Sequence, residues 1–184
     1  MGRLSDIIQR YSSDTNIDGT DKTTLHSYGD IYETLFDSLT PKSILEIGVF
    51  SGAFLRVLAE YYNSATEIIG IDITLDKIKF PAEDPVKIFQ LDGTNAQTAV
   101  TLGRRYDLIV EDASHLPEHQ KMSLMIFADY LNPGGVYIIE DIAHPELRQD
   151  LQTIADVRGL TMEWHDLRNV KGRFDDILAV FRKG

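Results

Sequence analysis

Residues 43–52 read Ser-Ile-Leu-Glu-Ile-Gly-Val-Phe-Ser-Gly, a short β-rich apolar run that breaks at a glycine and passes within one turn into an apolar-periodic segment. A strand, a glycine turn and a helix start open a βαβ unit. The alternation then repeats. EIIGID (67–72), VKIFQL (86–91), YDLIVED (106–112) and GVYIIED (135–141) read as further strands, with helix candidates near 52–62, 95–102, 118–130 and 144–157. Apolar strands separated by helices predict a mostly parallel sheet covered on both faces, the doubly wound α/β class.

The C-terminal region departs from this pattern. LTMEWHDL (160–167) and DDILAVFRK (175–183) are strand-like and joined by a short Arg- and Gly-containing connection, which predicts an antiparallel hairpin. Residues 1–41 hold a polar stretch, 12–24, and an amphipathic helix candidate, 28–39, stopped by Thr40-Pro41. This piece is expected to cap the ligand edge of a core spanning 42–184, the whole chain 1–184 forming one domain.

The hydrophobic fraction of 43% and charged fraction of 26% are ordinary for a globular chain. The absence of cysteine excludes disulfides, thiolate zinc sites and a thiol nucleophile. No run resembles a signal peptide or approaches a membrane span, so a cytoplasmic protein without a membrane partner is expected. A formal charge of −11, with Lys and Arg scattered, argues against a nucleic-acid partner and for a small or neutral one.

Ligands of open α/β sheets bind outside the carboxyl ends of the strands. There the first strand gives Glu46-Ile47-Gly48-Val49-Phe50-Ser51-Gly52, an E-x-G-x-x-x-G turn. Gly48 permits a turn that a Cβ would obstruct, and Gly52 permits close helix–strand packing beside a ligand. Phe50 stands where a dinucleotide fingerprint needs glycine, which argues against a nicotinamide or flavin cofactor. The second strand ends in Asp72, whose carboxylate suits a ribose diol, and the third in Leu91-Asp92-Gly93, suited to an adenine edge. Each acid alone reads as a strand-end cap; their succession on consecutive strands reads as a nucleoside site.

Glu46 to Gly52, Asp72 and Asp92 resemble the S-adenosylmethionine-binding motifs of class I methyltransferases. The resemblance implies a Rossmann-like sheet of seven strands with the last antiparallel. It also implies that the Gly48–Gly52 loop lies against the methionine portion, Asp72 at the ribose hydroxyls and Asp92 near the adenine. Ile73, Gly93 and Asp112 complete the expected cofactor-binding set.

The fourth strand ends at Glu111-Asp112, followed by His115, and the fifth at Glu140-Asp141. Neighbouring strand ends bring Asp112, Glu140 and Asp141 toward one ion, and an all-oxygen set suits Mg²⁺, Ca²⁺ or Mn²⁺ rather than zinc. Such a cation lowers the pKa of an alcohol, and a nearby histidine takes its proton. Helix caps and a loop hydrogen bond are the alternative reading of these acids and of His115, and the preferred one for Glu111.

Three segments narrow the resemblance: D-x-S-H-x-x-x-H-Q from Asp112 to Gln120, P-G-G-x-Y-x-I-E-D from Pro133 to Asp141, and T-D-K-x-x-x-H-x-Y-x-x-x-Y from Thr20 to Tyr32. Together they are similar to the Mg²⁺-dependent sugar O-methyltransferases of macrolide biosynthesis. The resemblance implies Asp112, Glu140 and Asp141 as metal ligands and His115 as general base. His119 and Gln120 read as supports for His115 and its turn. Asp21, His26, Tyr28 and Tyr32 are acceptor or lid candidates, as is His144, although His144-Pro145 reads first as a helix start. The chain is shorter than those enzymes, with short loops after Asp141, so the resemblance leaves the acceptor open.

The acceptor expected is a sugar or related polyol. A catechol-type enzyme is the nearer rival, disfavoured because that family carries Asp-Asn where this chain has Glu140-Asp141. A non-catalytic binding module is the rival from another class. Trp164 and the hairpin aromatics read as core or interface packing, and a homo-oligomer is among the expected partners.

Overall fold

The computed structural model describes residues 2–12, 19–80, 82–83 and 85–184. Of the polar stretch at 12–24, residues 12 and 19–24 are described; 13–18 lie outside the described residues. Two helices, α1 (Arg3–Tyr11) and α2 (Gly29–Asp37), precede the core, which runs β1 (Ser43–Ile47), α3 (Ala53–Tyr61), β2 (Glu67–Asp72), β3 (Val86–Gln90), α4 (Ala96–Leu102), β4 (Tyr106–Glu111), α5 (Pro117–Phe127), β5 (Leu131–Ile139), α6 (Leu147–Arg158), β6 (Leu160–Asp166), α7 (Arg168–Lys171) and β7 (Ile177–Lys183).

The seven strands form one sheet in the order β3-β2-β1-β4-β5-β7-β6. β1 to β5 pair in parallel, and β7 lies antiparallel between β5 and β6. This is the sheet the sequence predicts, with α7 inserted into the closing connection.

Alternation of side chains across the strands divides the core in two. Ile44, Ile68, Leu108, Val110, Val136 and Ile138 face α1, α2 and α3. Leu45, Ile47, Ile69, Ile71, Ile109, Tyr137 and Ile139 face α4, α5 and α6. On the first face the two N-terminal helices are joined to each other: Glu33 of α2 accepts the backbone N–H groups of Leu4 (3.2 Å) and Ser5 (3.1 Å), capping α1. Arg3 lies 4.9 Å from the Tyr61 ring centre at the end of α3.

Register places the site. Ile47 pairs with Ile71 and with Glu111, and Glu111 with Ile139, so Gly48, Asp72, Asp112 and Glu140 are the next residues on four adjacent strands. Backbone bonds Gly48 N–H to Ile71 O (2.8 Å), Asp112 N–H to Ile47 O (2.8 Å) and Glu140 N–H to Glu111 O (3.0 Å) carry the ladder one residue further.

Two boundaries differ from the expectation. β5 begins at Leu131 rather than 135, because Leu131 pairs with Tyr106 and a register shift between Tyr106 and Leu108 absorbs Pro133-Gly134-Gly135. α6 begins at Leu147, so His144-Pro145 forms a turn before the helix, with Leu147 N–H donating to His144 O (3.0 Å), instead of opening it.

Candidate functional site

Two adjoining cavities open at the carboxyl ends of β1, β2 and β4. The larger, about 470 Å³, is lined by residues that include Ile47, Gly48, Asp72, Ile73, Asp92, Gly93, Asp112 and His119. The smaller, about 240 Å³, is lined by Thr20, Asp21, Lys22, Glu46, the 48–51 turn, Asp112, His115 and Asp141 among others. Gly48, Phe50 and Asp112 border both.

The turn after β1 is shaped by conformations that side chains resist. Gly48 has φ +90°, and a Cβ there would collide with the Asp112 carbonyl and the Ala113 Cα. Gly52 has φ +85°, and a Cβ would meet the Phe80 carbonyl at 2.7 Å. The close approach at Gly52 is therefore to the β2–β3 connection, a correction to the helix–strand packing expected of it. Phe50 is left-handed too (φ +49°). One Asp72 oxygen accepts the N–H groups of Val49 and Phe50, both at 2.9 Å, and the other accepts that of Thr74 at 3.1 Å. Asp72 thus fixes the turn while bordering the larger cavity. Asp92 accepts from the Thr94 hydroxyl (2.7 Å) and N–H (2.8 Å), bonds that hold its pKa below the ordinary value.

At the smaller cavity acids crowd together. Strand parity sends Glu46, Asp112 and Glu140 to the face covered by the N-terminal layer, and Glu111 to the other. Asp112, His115 and Asp141 each offer a ligand atom, all within 4.8 Å of one another. His115 and Asp141 both have left-handed backbones, φ +57° and +53°. A positive φ at a non-glycine residue stores strain that surrounding structure must hold, and such positions concentrate at functional sites. The His115 Nε2 lies 3.9 Å from Asp141, while its buried Nδ1 has no hydrogen-bond partner among the described residues.

Glu140 is placed differently. One of its oxygens accepts from the Tyr32 hydroxyl and the other from the Lys22 ammonium at 2.5 Å. The same ammonium donates to Asp112 at 2.7 Å. Lys22, which sequence reading passed over, is buried (1% exposed) and stands 4.4 Å from the Phe54 ring centre. Burial alone would lower its pKa, but Asp112, Glu140, Asp21 and Glu46 outweigh that and hold it well above the usual lysine value.

The acids respond to the same crowding. Burial, then Asp112 and Glu140, push Asp141 up to about 9. Burial pushes Glu140 up to about 8, Lys22 opposing it, and raises Glu111 to about 8 with Asp112 adding to the effect. Glu46 is raised by burial, and its Oε2 is buried without a hydrogen-bond partner among the described residues.

Tyr28 and Tyr32 are fully buried, so neither presents a surface to an acceptor. The Tyr28 hydroxyl donates to Asp141 at 2.6 Å. His26 stacks on Tyr28, their centres 4.8 Å apart, with its Nδ1 3.3 Å from Asp141 and 3.4 Å from the buried Asp176. Burial lowers the His26 pKa, Asp21 opposing it. His144 is exposed, pairs with Glu146 at 3.1 Å, and lines neither cavity. His119 bonds Ser114 (2.8 Å) and Gln120 donates to the Glu140 carbonyl (2.9 Å), supporting the turn after β4 and the end of β5.

A methyltransferase domain matches residues 45–142, which run from within β1 past the end of β5 and include the strand-end acids. The chain belongs to the methyltransferase-domain family. Among this methyltransferase-domain chain's relatives, the mycinamicin VI 2''-O-methyltransferase of Micromonospora griseorubida is 31% identical over 109 residues, 54% of this chain and 27% of that one. The 8-demethyl-8-alpha-L-rhamnosyl tetracenomycin-C 2'-O-methyltransferase of Streptomyces olivaceus is 28% identical over 135 residues, 67% of this chain and 35% of that one. The chain thus spans about a third of the length of these relatives. The fold is that of MycE methyltransferase solved with Mg and SAH, at TM-score 0.75 and 22% identity over 98% of this chain and 54% of that one. No helix among the described residues is long and apolar enough to cross a membrane.

Proposed function

We propose that this chain is an S-adenosylmethionine-dependent O-methyltransferase that uses a divalent cation and modifies a hydroxyl of a sugar or related polyol. The observation that carries the reading is the convergence of Asp112, His115 and Asp141 beside the Gly48–Ser51 turn, in a cavity that shares lining residues with one bordered by Asp72 and Asp92. The acceptor class rests on the relatives, both O-methyltransferases by name, one of them of a rhamnosyl compound.

The residues present fit both groups. Asp72 and Asp92 border the larger cavity, of about 470 Å³, the Gly48–Ser51 turn lines the smaller, and the acids there already bind one cation, the Lys22 ammonium. Asp112, Glu140 and Asp141 would hold the divalent ion through hard oxygen ligands. The cofactor supplies an electrophilic methyl group, and the cation supplies positive charge that favours ionisation of the acceptor hydroxyl.

The remaining work falls to the chain. His115 takes at Nε2 the proton that the acceptor hydroxyl loses as its oxygen is methylated. His115 lines the smaller cavity, with its Nε2 3.9 Å from Asp141. Tyr28 and Tyr32 fix the orientation of Asp141 and Glu140. Thr20, Asp21 and Lys22 line the same cavity as His115 and Asp141 and bound the space an acceptor would enter.

The test is methyl transfer to a panel of glycosides and free vicinal diols, with and without chelator, for the wild type and His115→Gln. Transfer abolished by chelation and reduced at least a hundredfold in the variant supports the reading. Transfer indifferent to both, or absent from every acceptor while the cofactor product still binds, refutes it.

A further inference from the structure

Lys22 performs no step in the chemistry above, yet it sits where the divalent ion is proposed to act, and the inference that follows rests on that reading. Its ammonium is shared by Asp112 Oδ2 and Glu140 Oε2, and the other oxygen of Glu140 accepts from Tyr32. With Lys22 in place, both Glu140 oxygens are engaged, and Glu140 joins neither cluster of possible ligand atoms found among the described residues, Asp112–His115–Asp141 and His26–Asp141–Asp175. A divalent ion bonded to the same two carboxylates would lie within about 4 Å of the ammonium, where like charges repel strongly in a buried setting.

We propose that Lys22 is a tethered counter-cation that holds the metal seat when no divalent ion is bound and yields it when one binds. The cavity offers the displaced ammonium a second acceptor. Glu46 lines the same cavity as Lys22 and is fully buried, and its Oε2 lacks a hydrogen-bond partner among the described residues. Moving the ammonium from Asp112 and Glu140 to Glu46 keeps it paired and frees two oxygens for the ion. Lys22 belongs to the segment that also brings Thr20 and Asp21 to the cavity wall, so metal uptake and the placement of that wall are linked. In the absence of the ion, Lys22 keeps buried carboxylates from facing one another uncompensated, which is costly in a protein interior. It is a positioning residue, with an occupancy opposite to that of the metal.

The sign of the effect separates this role from a structural one. A lysine that only braced the site would, when removed, loosen the ligands and weaken metal binding. A lysine that competes would, when removed, tighten it. The experiment is calorimetric titration of Mg²⁺ into the wild-type protein and Lys22→Met, both stripped of metal, with thermal melts at each Mg²⁺ concentration. The expected result is a saturable site in the wild type and at least tenfold tighter binding in Lys22→Met, whose melting temperature climbs more steeply with Mg²⁺. If Lys22→Met is unfolded without metal, folding on addition of Mg²⁺ at concentrations that leave the wild-type site empty supports the proposal, and failure to fold at any concentration overturns it. Equal or weaker affinity in a folded Lys22→Met overturns the proposal alone. Absence of a saturable site in the wild type overturns the metal reading, and this inference with it.

Discussion

Raising the pH of the metal-free protein from about 7 to about 8 is expected to destabilise it, against the usual trend for acids held by salt bridges. Glu111, Glu140 and Asp141 are buried, with pKa values raised to about 8, about 8 and about 9. In the unfolded chain such groups titrate near 4. The folded state therefore holds more protons than the unfolded one throughout this window, and stability contributed at low pH is lost as pH rises through the folded pKa values. Glu140 and Asp141 share neighbours, so they are counted as one titrating group beside Glu111, and Glu46, also raised by burial, acts in the same direction. Two groups, each about three-quarters protonated on average across the interval, at about 1.4 kcal/mol per proton per pH unit, give a loss of about 2 kcal/mol. That is a large share of a typical folding free energy of about 5–15 kcal/mol. The His26 pKa is lowered from 6.5, so its titration, which has the opposite sign, lies below the window. The assay is urea denaturation in chelator at several pH values, with Asp141→Asn as a control whose slope is reduced. Saturating Mg²⁺ should flatten the dependence, because the ion binds the ionised carboxylates. A metal-free stability that is constant or rises from pH 7 to 8 would refute the reasoning.

Further outcomes follow from single contacts. Gly48→Ala forces a side chain onto the Asp112 carbonyl at φ +90° and should cost about 2 kcal/mol or more while abolishing cofactor-product binding, read by thermal melt and calorimetry. Tyr32→Phe removes the hydroxyl from buried Glu140 and should cost about 1.5–3 kcal/mol, read by urea denaturation; an unchanged midpoint would show that the bond carries no stability. His115→Gln should lower turnover by about 10²–10⁴ while cofactor-product affinity stays within a few-fold, since His115 borders the smaller cavity and not the larger.

The sheet was legible because its strands are short, apolar and bounded by glycine, and because register is local: once β1, β2, β4 and β5 are drawn parallel, Gly48, Asp72, Asp112 and Glu140 fall at one edge. The N-terminal layer was much less legible. Lys22 lies in a run that reads as a solvated turn, and its partners are 90 and 118 residues away. A charge argument could have found it: Glu46, Asp112, Glu140 and Asp141 converging at buried strand ends require a compensating cation, and Lys22 lies in a motif already aligned with that edge. Tyr28 and Tyr32, at helical spacing, read equally well as a lid or as core, and only the position of α2 over the sheet turns their hydroxyls onto Asp141 and Glu140. The opening of β5 was missed because Pro-Gly-Gly ordinarily ends a strand, whereas a bulge against β4 accommodates it here.

The most direct measurement is calorimetric titration of S-adenosylhomocysteine into metal-stripped protein, followed by Mg²⁺ titration of the complex, for the wild type and Asp141→Asn. The account predicts one-to-one binding of the cofactor product to both proteins, and a saturable Mg²⁺ site in the wild type that is lost in the variant. No binding of S-adenosylhomocysteine with or without Mg²⁺ would contradict the cofactor assignment, and a Mg²⁺ site undiminished in Asp141→Asn would contradict the placement of the metal.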